Sequence, residues 1–506
     1  MASHVLTASV LGLNAHPVDV ETDISAGLGA FVIVGLPDTA VQEARDRVKS
    51  AMRHADAAFP RTRVTVNLAP ADLKKCGTPF DLPVAVGVML AANFLPEDSV
   101  QQTMVAGELG LDASLRPIHG ALSFAILAKE RGIRALILPA ANADEAALVE
   151  GVEILPARHL KEVIRHLRGD CPIKPFGPRR ILDDAPAVHA LDFSSIRGQA
   201  QARRALEIAA AGGHNVLMQG PPGSGKTMLA RAFPTILPSL TTPEALESTR
   251  IHSVAGLLPP DGVIRTRPFR APHHSASGVS LIGGGTIPRP GEISLAHRGV
   301  LFLDEFLEFP RAVLESLRQP LEDGTVTVSR AQGTITFPAR FTLLGAMNPC
   351  PCGFYSDPDQ PCVCTPIQVA KYRKRLSGPL LDRIDLFIEV PKVKTHELTD
   401  VSAGETSGAI ARRVQAARDL QTERLRACNI ATNAELSSER LRKLVHLEEE
   451  ARILLRHAVD RYHLSARAYF RLLKVAQTIA DLAVTSTVTA EHVAEALLYR
   501  YDQTHA

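Results

Sequence analysis

Val216-Leu217-Met218-Gln219-Gly220-Pro221-Pro222-Gly223-Ser224-Gly225-Lys226-Thr227-Met228-Leu229-Ala230-Arg231-Ala232 decides the fold. A short apolar strand runs straight into a glycine-rich loop, and the loop opens into residues that favour a helix. Gly220 to Thr227 reads GxxxxGK[ST], the phosphate-binding loop in the strand-to-helix context it requires. Gly220, Gly223 and Gly225, spaced by Pro221, Pro222 and Ser224, let backbone N–H groups close around phosphate oxygens at a helix N-terminus. Lys226 supplies charge to the β- and γ-phosphates and Thr227 a hydroxyl to Mg²⁺. A glycine-rich turn with no ligand is the ordinary alternative, and the flanking strand and helix weigh against it.

Holding the metal and activating water need a second piece. Val300-Leu301-Phe302-Leu303 is a buried-strand run that ends in Asp304-Glu305. Asp304 can ligate Mg²⁺ through its shell, and Glu305 can orient the attacking water or take its proton. ATP and Mg²⁺ are therefore the expected cofactors.

Outward from this centre, 506 residues predict about three domains. Hydrophobic residues at 45% and charged residues at 22% exclude wholesale disorder and collagen-like or fibrous chains. A net charge of +2 gives no global grip on nucleic acid or membrane, so an anionic partner must be held by a local patch. No apolar run reaches the ~18 residues of a membrane span, and the N-terminus lacks a basic segment followed by an apolar one. The expectation is a cytoplasmic protein with no membrane contact.

Pattern changes divide the chain. Residues 1–168 mix strand and helix periods: Val64, Val66 and Leu68 alternate with polar neighbours, while Val41, Ala44, Val48 and Met52 recur at helical spacing after Pro37-Asp38. From 169 to 190 the apolar period disappears and prolines crowd in, as in a semi-rigid linker. Residues 191–395 form the phosphate-loop α/β domain. Residues 396–506 read as helices almost throughout, with basic and acidic residues in balance, a solvated bundle rather than a basic arm.

The loop, the LFLDE strand, Asn348 at the end of Phe341 to Met347, and Ser377 to Asp385 resemble an AAA+ ATPase of the magnesium-chelatase type. With Phe269-Arg270-Ala271-Pro272-His273-His274, the paired CxC motifs and the N-terminal segment, the resemblance extends to the YifB/ComM family over nearly the whole chain. It implies that Asn348 is the first sensor beside Glu305, that Arg383 is an arginine finger entering a neighbour's site, and that Arg467 is the second sensor on a C-terminal helical lid. Surface ion pairing is the alternative for both arginines. A finger acting in trans implies a ring, and the family resemblance implies a hexamer.

Gly324 to Phe337 alternates Thr and Val with Thr, Ile and Phe about Ser329 to Gly333, a β-hairpin with Arg330 near its tip. Related motors project such a hairpin into the ring's pore, where Arg330 could meet a phosphate; an exposed arginine without a ligand is the alternative. Cys350, Cys352, Cys362 and Cys364 put four of the seven cysteines into residues 350–364. Four sulfurs suit tetrahedral Zn²⁺, although CxC departs from the commoner C-x₂₋₄-C, and unliganded thiols or a redox disulfide remain open. Lys371, Arg373, Lys374 and Arg375 make a compact basic patch for a nucleic-acid backbone or a solvated face.

Residues 1–168 resemble the Lon-protease-like domain of the same family, through Thr78 to Pro83, Gly107 to Gly110 and Leu115 to Gly120. Asp81 and Leu122 stand where that resemblance expects a serine nucleophile and a lysine base. Neither can do that work, so the domain is expected to be proteolytically dead and kept for assembly or binding. The resemblance implies an ATP-driven DNA motor promoting branch migration in natural transformation or recombination, with branched or single-stranded DNA and recombination proteins as partners. The rivals are the ATPase subunit of a magnesium chelatase and an ATP-dependent protease.

Overall fold

The computed structural model describes residues 2–179, 191–285, 288–330, 333–355, 357, 359–393, 404–428 and 430–501. In the N-terminal part, β1 (Ser3–Leu11), β2 (Asn14–Ser25), β3 (Ala30–Val34), β4 (Arg63–Ala69), β5 (Thr103–Val105), β6 (Ala135–Pro139) and β7 (Glu153–Ala157) form one mixed sheet. Its order is β3-β4-β2-β1-β5-β6-β7, with β1, β2 and β4 antiparallel and the β1-β5-β6-β7 half parallel. Alternation in β4 does what its period predicts: Val64, Val66 and Leu68 are buried. α1 (Thr39–His54) starts where Asp38 accepts from the Val41 N–H at 2.9 Å, and it buries Val41, Ala44, Val48 and Met52. α2 (Asp81–Ala91) is buried on every face except its last residue, and α3 (Ala121–Glu130) and α4 (Leu160–Arg168) complete the layers.

The segment read as a linker from 169 begins as part of this domain. The Phe176 N–H donates to the Ile154 carbonyl of edge strand β7 at 2.8 Å, covering an otherwise open edge. The Arg179 N–H donates to the Ala147 carbonyl at 3.2 Å, and its guanidinium pairs with Asp144. Residues 180–190 of that reading lie outside the described residues.

The central domain is built on α5 (Ala200–Gly212), β8 (Val216–Gln219), α6 (Lys226–Ala232), α7 (Thr242–Ala255), β9 (Phe269–Arg270), β10 (Val300–Leu303), hairpin strands β11 (Thr325–Arg330) and β12 (Gly333–Pro338), β13 (Thr342–Met347), α8 (Pro366–Arg373) and β14 (Leu386–Glu389). Five strands form a parallel sheet in the order β9-β10-β13-β8-β14. Alternate residues serve two cores. Val216 and Met218 join Phe302, Leu344 and Ile388 on one face, while Leu217 joins Leu301, Leu303 and Leu343 on the other. The hairpin pairs Arg330 with Gly333 in the backbone, as its alternation predicts; residues 331–332 at its turn lie outside the described residues.

Helices α9 (Ser407–Leu425), α10 (Glu449–Tyr462), α11 (Ala466–Leu482) and α12 (Ala490–Leu498) follow. Ile410, Val414, Leu473 and Ile479 share one core with Leu206, Val216 and Leu386, so the helical part packs on the five-stranded parallel sheet. N-terminal and central parts are also joined, through a core that puts Leu122 and Phe124 with Leu240, Ala245 and Val263. Among the described residues, no helix is long and apolar enough to cross a membrane.

Candidate active site

Parallel strands end together, and the C-terminal edge of this sheet collects the sequence-predicted groups. Gly220 follows β8 so closely against the Val390 carbonyl that a Cβ would lie 2.1 Å from its oxygen, so the first loop position must be glycine. Lys226 opens α6 and is bent back on its own loop. Its Nζ donates to the carbonyls of Gly220 at 2.7 Å and Pro221 at 2.8 Å, and lies 3.5 Å from Asn348 Oδ1. Burial pulls this amine down to about 8, against the pull of Asp304. Phosphate oxygens would replace those carbonyls with full negative charge.

Thr227 Oγ1 donates to Asp304 Oδ2 at 2.8 Å, across from β8 to β10. A hydroxyl and a carboxylate already converged in this way suit a hard, oxygen-seeking cation, so the residues fit Mg²⁺. Glu305 sits in the left-handed region at φ 50°, its N–H donating to Asp304 Oδ1 at 2.9 Å. Its half-exposed side chain meets His274 Nδ1 at 2.9 Å. His274 belongs to a stretch quoted above for the resemblance and given no role; its place just beyond β9, the strand beside β10, was the available signal.

Four sulfurs gather next to Asn348. Cys350, Cys352 and Cys362 Sγ atoms are 3.4 to 3.6 Å apart, and all four ligand atoms lie within 4.8 Å of one another. A Zn–S bond of about 2.3 Å gives tetrahedral sulfur separations of about 3.8 Å, so the set fits zinc. The backbone N–H of Phe354 helps pull Cys352 down to about 6, while neighbouring sulfurs help push Cys362 up to about 12, so the four thiols share their charge unevenly. This loop touches the phosphate loop, since a Cβ on Gly353 would lie 2.6 Å from Pro222. Beyond it, the basic patch is not one open face: Tyr372 is buried, Arg373 lies 4.8 Å from the Tyr355 ring, and Arg375 pairs with Glu308 at 3.1 Å; Lys371 and Lys374 are exposed.

Arg383 and Arg467 come together elsewhere. Arg383 precedes β14, and Asn215, which precedes β8, donates to the Arg383 carbonyl at 3.0 Å. Both therefore stand at the N-terminal edge of the sheet, opposite the phosphate loop. The Arg383 guanidinium pairs with Glu322 and donates to the Pro379 carbonyl at 2.6 Å, while Arg467 lies 3.7 Å from Asp382. They line a cleft of about 700 Å³ with Arg298, Arg340, Arg471 and Lys474. The structure thus places Arg467 with Arg383 and not with Lys226.

Comparison with known proteins turns this geometry into a family. Residues 192–398 match the family model described as magnesium chelatase, subunit ChlI; residues 20–142 match subunit ChlI of Mg-chelatase, and residues 404–500 its C-terminal part. The chain is 45% identical over 499 residues to the uncharacterized protein YifB of Escherichia coli, covering 98% of this chain and 97% of that one. It is 44% identical over 500 residues to the competence protein ComM of Haemophilus influenzae, with coverage of 98% and 97%. The chain belongs to the YifB/ComM family of magnesium-chelatase-like AAA+ proteins. Likeness to the magnesium-chelatase 38 kDa subunit of Rhodobacter capsulatus is narrower, 32% over 177 residues, or 31% of this chain and half of that protein. A YifB/ComM protein with this core is an ATPase that uses ATP and Mg²⁺.

Proposed function

We propose that this YifB/ComM protein is a ring-forming, hexameric, ATP-driven motor that moves branched or single-stranded DNA in natural transformation or recombination. The observation that carries the ring is the separation of Lys226 and Arg383 to opposite edges of one sheet. An arginine there reaches a γ-phosphate only in another subunit. Lys226 and the loop from Gly220 to Thr227 bind the phosphates, Thr227 and Asp304 hold Mg²⁺, Glu305 accepts the proton of the attacking water and Asn348 orients it. Arg383, with Arg467 beside it, stabilises charge on the neighbour's transferred phosphoryl group. Zinc held by Cys350, Cys352, Cys362 and Cys364 fastens the loop against Pro222.

DNA as the track is supported by the likeness to a competence protein and by the hairpin that carries Arg330. Lys371 and Lys374 are further contacts to test, with Arg373 and Arg375 tied to neighbours. Residues 1–168 serve as an inactive Lon-like platform: Asp81 is bound to Arg47 and Leu122 is buried, which opposes the protease reading. ATP turnover measured without DNA and with single-stranded, duplex and branched DNA tests the motor. Stimulation is expected, strongest on branched DNA and weakening with salt. No DNA binding at low salt with ATP present would overturn the track while leaving the ATPase.

A further inference from the structure

The turn between β1 and β2 meets the hairpin of the central domain, and nothing in the nucleotide chemistry uses that meeting. The hairpin has two unlike faces. Thr327, Ser329, Thr334 and Thr336 are exposed on one, while Val326, Val328 and Phe337 are buried on the other. Two strands alone are marginal in water, so the hairpin keeps its direction only through what covers its apolar face. Toward the base, Val326 pairs with Phe337 and both join the core of Leu303 and Leu317. Toward the tip, Val328 pairs with Ile335, and Ile335 leans on the N-terminal domain.

Gly12 and Leu13 are the two residues that turn β1 into β2. Gly12 lies in the left-handed region at φ 62°, and a Cβ there would sit 2.5 Å from Ile335 Cγ2, closer than packed atoms come. Leu13 packs against the same core as Ile335. The turn is itself clamped from both domains. Its Leu13 carbonyl accepts from the Ser123 hydroxyl of α3 at 2.7 Å and from Arg250 Nε of α7 at 3.1 Å, and Arg250 also donates to Asn14 Oδ1 at 3.0 Å. A turn held in this way shifts only with α3 and α7, so the direction of the hairpin tip is tied to the N-terminal domain.

We propose that the β1–β2 turn is the seat of the hairpin, with Gly12 and Ile335 as positioning residues that hold the tip toward the track and couple ATP turnover to movement. The coupling rests on the hairpin meeting DNA; the seat does not.

The test uses the full chain and two measurements. Hydrogen exchange of the β11 and β12 amides needs no DNA, and ATP turnover is read without and with branched DNA. Gly12→Ala is expected to speed hairpin exchange several-fold, leave basal kcat and KM for ATP unchanged, and remove most of the DNA stimulation. Ile335→Ala, which empties the contact from the other side, is expected to do the same, and Ile335→Val, which keeps Cγ2, to behave as wild type. In the Ile335→Ala background, Gly12→Ala is expected to add nothing to either readout, because the atom it strikes is gone and only Ile335 Cβ, at 3.8 Å, remains. Unchanged hairpin exchange in Gly12→Ala, or additive effects of the two substitutions, overturns the seat. Faster exchange with full DNA stimulation overturns the coupling. If DNA stimulates not even the wild type, the track reading falls with the coupling, and hydrogen exchange still decides the seat. Should Gly12→Ala not fold, Ile335→Ala against Ile335→Val carries the same comparison.

Discussion

Asp81 in the N-terminal domain and Glu305 in the central one are both carboxylates near the start of a helical segment, with opposite fates. Asp81 is fully buried, and burial pushes its carboxyl up. Arg47 pulls it back with donors at 2.6 and 2.9 Å, and the Leu109 N–H adds a third at 3.2 Å. Glu305 is half exposed, with one exchangeable histidine contact. A carboxylate with its hydrogen bonds met internally is a structural part, whereas one left short of partners beside a phosphate loop can serve a ligand. The same contrast separates the proposed platform from the proposed motor.

The largest expected effects fall on the motor side. Arg383→Ala should leave nucleotide binding intact and cut turnover by roughly 10³–10⁵-fold, as removal of a finger does. Mixing Arg383→Ala with Glu305→Gln subunits should restore part of the activity, since some sites then pair an intact base with a neighbour's intact arginine. No recovery in rings shown to be mixed would break the trans assignment. Glu305→Gln should follow, retaining ATP binding and losing roughly 10²–10⁴-fold in turnover.

On the platform side the expected loss is in stability. Asp81→Asn leaves the partly buried Arg47 beside a neutral amide that offers one acceptor oxygen instead of two, which should cost about 1–3 kcal/mol in denaturant unfolding of the N-terminal part. ATP turnover per folded molecule should be unaffected, and Asp81→Ser should yield no peptidase with Leu122 in place of a base. A protein indifferent to Asp81→Asn would end the comparison.

Much of this was legible beforehand, because the legible parts are local. The phosphate loop, the strand into Asp304-Glu305, the hairpin and the Asp38 cap each lie within a few residues of chain. Pairings between distant segments were not. Hydrophobic period reports which face of a strand is buried and not which strand lies beside it, so the His274–Glu305 contact, the meeting of Arg467 with Arg383 and the docking of Phe176 on β7 needed the sheet order. The cysteine cluster fell between: its spacing announced a site, and only the fold put Gly353 against Pro222.

That contact makes the cysteine loop a support for the nucleotide pocket. Replacing Cys352 and Cys362 together should release close to one Zn²⁺ per chain, read by elemental analysis, and weaken ATP binding through the loosened loop. A metal-free preparation of full activity and stability would remove zinc from the comparison.

The smallest effect sharpens the join between platform and motor. Glu145 is almost fully buried where α3 and α7 meet, accepting from the Asn142 amide at 2.7 Å, the Leu122 N–H at 3.3 Å and the Ser253 hydroxyl. Burial raises its carboxyl, outweighing those three hydrogen bonds. A carboxyl raised in the folded state contributes stability that is complete below its unfolded value and is lost as pH rises through the folded one. Glu145→Gln removes the charge and can keep the two stronger contacts, its oxygen accepting from Asn142 and its amide donating to the Ser253 hydroxyl, at the loss of the longer bond from the Leu122 N–H. It should therefore melt higher than the parent above the raised value, by roughly 2–4 °C at most, and match it in acid. A parent that is more stable than Glu145→Gln at pH 8 would mean that the carboxylate is satisfied as an anion, and the join would then belong with Asp81 among the locked sites.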